Sequence, residues 1–165
     1  MESERSKSAR PDSPVPGTRC GSGSRLVRAW LVASALSGVP STVHALSTGG
    51  DVLRSTRAAA SLLGGTGVIR GAIVHLGVSA FWTAVLAAVD RRWPLGARTG
   101  AVAGAVIAVV DLEVLGRRFP AVRELHRAAQ WADHVAFGAL VGAVLRSTVD
   151  ERGRSAASPD RVPPA

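Results

Sequence analysis

Three histidines and two aspartates carry the chemistry open to this chain: His44, His75, Asp111, Asp133 and His134. Imidazole and carboxylate groups that converge from several helices suit a transition metal. The same groups can relay protons, because imidazole changes charge near neutral pH. Asp133 and His134 stand together in WADHVAFGALVGAVL, residues 131–145, at the entrance of a run otherwise fit for lipid. No HExxH, CxxC, GxSxG or Walker pattern occurs, so no particular reaction is indicated. Cys20 is the only cysteine, which rules out an internal disulfide and a cysteine-based metal site.

The elements that must position these groups are four apolar runs, at about 26–46, 71–89, 99–115 and 128–145. At 1.5 Å per residue a helix of about 18 residues covers roughly 27 Å, close to the hydrocarbon thickness of a bilayer. The second run has no Asp, Glu, Lys or Arg, and the third is uncharged from Thr99 to Val110. A soluble bundle would need a polar face on each helix. The fold expected is therefore all-α: a polytopic membrane protein with four transmembrane helices running up-down-up-down over 26–146. Pro40 should kink the first span and free a carbonyl there. After that span, DVLRSTRAAASLLGG (51–65) reads as a short helix lying in the membrane interface, with Asp51 as its N-cap. Pro120 suits the first turn of another short helix. Residues 1–25 and 147–165 are rich in Ser, Pro, Gly and charge and read as disordered tails, the first of them basic.

The formal net charge is +8, and Lys7 is the only lysine. The arginines flank the apolar runs and do not stripe one helix, so nucleic acid is not the expected partner. In the alternating topology, thirteen Lys and Arg fall on one side: six through Arg28, three at 90–98, and four from Arg146 onward. The other side holds seven: Arg54, Arg57, Arg70, Arg117, Arg118, Arg123 and Arg127. The positive-inside rule then puts both termini in the cytoplasm and the protein in the cytoplasmic (inner) membrane, with Trp30 and Trp93 at the inner interface and Trp131 at the outer one.

Alternation also collects the ionisable groups. Odd spans end, and even spans begin, on the same side, so His44, His75, Asp111, Glu113, Asp133 and His134 share the outer half. Helical spacing puts most of them on stripes of small or hydroxyl residues. The stripes are Ser34, Ser37, Ser41 and His44; His75, Ser79 and Thr83; Gly100, Gly104, Ala108 and Asp111; and His134, Gly138 and Gly142. Small residues allow close helix approach, so each stripe is expected to face the bundle interior, or a second copy or another membrane protein. Glu113 points away from Gly104 and belongs at the interface.

The phrases SGVPSTVHAL, GGDVLRSTRAAASLLG, VVDLEVLGRRFPAVREL and QWADHVAFGALVGAVL together resemble a family of small integral membrane proteins from high-GC bacteria. The resemblance covers roughly residues 35–146. It implies a membrane fold and carries no activity, cofactor or binding residue. Three functions remain in view. The first is a non-enzymatic structural or accessory component in the bilayer. The alternative is a proton- or metal-ion-handling transporter or channel component using the His/Asp cluster. An embedded enzyme ranks last, and no cofactor is required by the sequence.

Overall fold

The computed structural model describes residues 21–156, and side chains from 23 to 147. The readings made for residues 1–20, Cys20 among them, and for 157–165 fall outside the described residues. The described chain is helical, with no strand among the described residues. Its elements are α1 (Gly21–Leu36), α2 (Val39–Ser47), α3 (Arg54–Ala60), α4 (Val68–Asp90), α5 (Ala97–Ala108), a π-helix (Val109–Leu115), α6 (Pro120–Arg123) and α7 (Arg127–Ala156). Helix begins before residue 26 and continues past 146, beyond both edges set for the membrane domain.

Four helical stretches are long and apolar enough to cross a membrane: Gly23–Ser47, Val68–Asp90, Ala97–Arg118 and Arg127–Ser147. The packing suits lipid outside and small residues inside. Ala29, Ala33, Ala108 and Val141 are fully buried, whereas Ile69 is 80% exposed, Val102 68% and Ile73 62%. A soluble bundle would bury those large apolar side chains, because exposing them to water forfeits about 1.5–3 kcal/mol each. Among lipid tails that penalty disappears, and close packing becomes the main source of cohesion.

Glycine makes the tightest contact. α5 and α7 cross antiparallel, with Gly100 against the backbone of Gly138 and Gly142, and Gly104 against that of His134 and Gly138. A Cβ at Gly100, Gly104, Gly138 or Gly142 would run into the facing backbone. The small stripes of these two helices therefore face one another inside the chain, so a second copy would have to use another face. α1 and α4 are also antiparallel: Arg25 pairs with Asp90 at 3.2 Å near one end, and His75 meets Ser34 near the other.

The first span is broken where Pro40 stands. Pro40 occupies the first turn of α2, and Gly38 is the N-cap. Beyond it, α3 docks on α4 at Gly71, where a Cβ would strike the Thr56 carbonyl. Asp51 is not the N-cap of α3. Leu53 holds that position, and Asp51 accepts the Leu53 N–H at 2.9 Å and pairs with Arg57. An aspartate side chain readily bonds a backbone N–H two residues on, and here that turn precedes the helix. Pro120 opens α6 as its residue type predicts.

Candidate functional site

The site is a cavity of about 410 Å³ at the end of the bundle where α1–α2 finishes and α4 and α7 begin. His75, Asp111, Asp133 and His134 line it, together with Ser37, Ser41 and Ser79. Four of the five groups singled out in the sequence therefore border one space, contributed by three different spans. The fifth does not line it. His44 stacks on His126, with ring centroids 3.9 Å apart. Ser37 and Ser41 of the same stripe line the cavity on either side of the break, whereas His44, one turn beyond Ser41 on α2, meets His126 instead.

Asp133 reaches across from α7 to the broken span. Its Oδ1 accepts the backbone N–H of Ser41 at 2.9 Å. In an unbroken helix that N–H would bond the Ser37 carbonyl, four residues back. At Pro40 the helix restarts, and Ser41 sits at its third position, where an N–H has no partner within the helix. An N-cap side chain normally supplies one, but Gly38 has none. Asp133 thus caps α2 from another helix. The sequence predicted a freed carbonyl at Pro40. The freed group with a cross-helix partner is an N–H, and it explains why an acid stands at the entrance of the fourth span.

Asp111 comes from the π-helix. The α5 ladder changes at Val109, and a π-turn shifts the downstream residues by the equivalent of one extra position. Asp111 is delivered to Trp82 of α4, whose Nε1–H donates to Oδ2 at 3.0 Å. The same oxygen lies 3.4 Å from His134 Nε2. His134 Nδ1 is 2.8 Å from the Gln130 carbonyl, which can only accept, so Nδ1 carries a hydrogen. A proton on the Nε2–Oδ2 axis, held by imidazole or acid, completes the contact. His75 Nε2 meets the Ser34 carbonyl at 3.2 Å.

Glu113 stays apart, as its helical angle indicates. It binds Arg127 at 2.7 Å and Arg117 at 3.6 Å, and it accepts from Trp131 Nε1 at 3.5 Å. The Arg127 guanidinium also donates to the Leu112 carbonyl at 3.3 Å, which ties the π-helix to the start of α7. Gln130 donates to the Ser55 hydroxyl at 3.0 Å and so fastens α3 beside the cavity.

Sequence reasoning missed Trp82, Gln130 and the π-helix. Trp82 lies seven residues after His75, two helical turns on, so its side of α4 was available from spacing alone. Among the described residues no group of three or more His, Cys, Asp or Glu is arranged to hold a metal ion. The convergence is one of pairs and caps rather than of a ligand shell. No family model, curated protein or solved structure matches the chain.

Proposed function

We propose that this chain is a non-enzymatic structural or accessory component of the cytoplasmic membrane, crossing it four times with both termini in the cytoplasm. One observation carries the reading. The four ionisable groups that line the cavity each meet another part of the chain: Asp133 meets Ser41, Asp111 meets Trp82 and His134, and His75 meets Ser34. Interhelical hydrogen bonds in membranes average about 0.6 kcal/mol, so each is modest glue, and together they hold four helices in one arrangement. The excess of Lys and Arg in the first 28 residues, at 90–98 and from Arg146 onward supports the orientation. Carbonate and high-salt washing of membranes is the test. The chain should stay with the bilayer and leave it only in detergent, whereas release without detergent would defeat the reading.

A second reading has one specific observation in its favour: the Asp111–His134 pair holds a proton position at the edge of a cavity. A small proton-handling component would use that pair, with His75 and Asp133 lining the same cavity. Purified protein in liposomes should then collapse an imposed pH gradient, and Asp111→Asn should abolish the leak. Gradients no shorter-lived than in empty liposomes would exclude this reading and leave the accessory one intact.

A further inference from the structure

The cavity has a chemistry that its bonds within the chain leave unused. Its lining includes two carboxylates, two imidazoles, and neither lysine nor arginine. Asp111 is engaged twice, by Trp82 and by His134. Asp133 accepts from Ser41, by its backbone N–H and its side chain, has the imidazoles of His134 and His75 nearby, and forms no ion pair among the described residues. Most of the wall around it is apolar or aromatic, with Val78, Trp82, Ile107 and Phe137 among the residues present. A carboxyl in such a setting either keeps a proton or is stabilised as an anion by a positive group beside it.

The occupant can be narrowed by exclusion. A bare metal ion would need several ligands within reach of one point, and no such group occurs among the described residues. An anion would find no guanidinium or ammonium in the lining, and its two imidazoles, His134 and His75, already meet Asp111 and the Ser34 carbonyl. An apolar wall with aromatic faces and one carboxylate is the recognition chemistry of an organic cation, which gains from both the charge and the ring faces. The volume, about 410 Å³, lies within the range typical of small-molecule sites. We propose that the cavity binds a monovalent organic ammonium ion with an apolar body, its charge against Asp133 and its body against Trp82 and Phe137. This goes beyond the accessory reading and does not depend on proton movement by Asp111 and His134.

Equilibrium dialysis of the detergent-solubilised full chain at pH 8 tests it, with benzyltrimethylammonium as the probe. Benzylsulfonate serves as an anion of similar size, and protein-free micelles as the blank. The cation should be retained saturably, at about one per chain, and the anion should bind at least about tenfold more weakly. Asp133→Asn keeps an oxygen for the Ser41 N–H and removes the charge, so cation affinity should fall about tenfold or more. Val78→Phe fills the cavity and should abolish retention while Asp133 stays intact. Cation uptake no greater than in empty micelles, equal retention of the sulfonate, or undiminished binding by Asp133→Asn would each overturn the proposal. Should Asp133→Asn fail to fold, the cation–anion comparison and Val78→Phe decide it: unaltered binding by Val78→Phe puts the cation elsewhere. A chain that resists carbonate extraction yet binds no cation loses this site alone.

Discussion

At the scale of the residue, the chemistry at Asp133 is that of an acceptor first. Its oxygen serves an N–H that Pro40 leaves without a helical partner. Replacing Asp133 by alanine leaves that donor unsatisfied, and loss of a cap lowers stability by about 0.5–2 kcal/mol. Asp133→Asn retains an acceptor and should stay within about 0.5 kcal/mol of the parent. Unfolding in mixed micelles by added SDS, followed by circular dichroism, measures both. Equal losses for the two variants would mean that charge, and not capping, matters to the fold. Glycine supplies a second comparison. Gly138 has the Gly100 and Gly104 backbones against it, whereas nothing lies within 4 Å of a Cβ at Gly77. Gly138→Ala should destabilise by about 1–3 kcal/mol through overpacking. Gly77→Ala should leave stability unchanged or raise it by up to about 1 kcal/mol, since alanine is the better helix former. The inward direction of the glycine stripes was legible from GAVAG and GALVG. That the two stripes face each other was not, because spacing on one helix is silent about its partner.

At the scale of the element, two interruptions build the site. One is the restart at Pro40, and the other is the π-helix at Val109–Leu115. If Asp133 exists to cap the restart, removing the restart should remove the need for it. In a Pro40→Ala background the Ser41 N–H regains the chance to bond the Ser37 carbonyl. The destabilisation caused by Asp133→Ala should then fall to less than about half, a coupling of the size expected for residues in contact. An undiminished effect would show that Asp133 acts through something other than Ser41. The break was legible because proline has neither an N–H nor freedom in φ. That His44 stacks on His126 was not legible, because that partner lies 82 residues further along the chain. The π-helix left no sign in VVDLEVL, a segment of ordinary helix formers and β-branched residues. Its Asp111 is placed by contacts with Trp82 and His134, which lie 29 residues before it and 23 after it in the chain.

At the scale of the whole molecule, the composition carried most of the fold. Four runs long enough to span, with large apolar side chains outward and small residues inward, follow from length and hydropathy. The meeting of His75, Asp111, Asp133 and His134 at one end follows from alternation, because each lies near the same end of its span. The partners of each group depended on helix rotation and on side-chain reach, which hydropathy does not encode. The central claim is that the chain crosses the bilayer four times in alternation and so gathers these groups toward its outer face. Labelling with a membrane-impermeant maleimide tests it most directly, in a Cys20→Ser background with single cysteines at Thr66→Cys, Trp93→Cys and Glu124→Cys. These positions precede α4, follow α4 and precede α7, and all three side chains are exposed. On intact spheroplasts Thr66→Cys and Glu124→Cys should label, and Trp93→Cys should label only after the membrane is permeabilised. Labelling of Trp93→Cys together with Thr66→Cys on intact spheroplasts, or of Thr66→Cys and Glu124→Cys from opposite sides, would contradict the account.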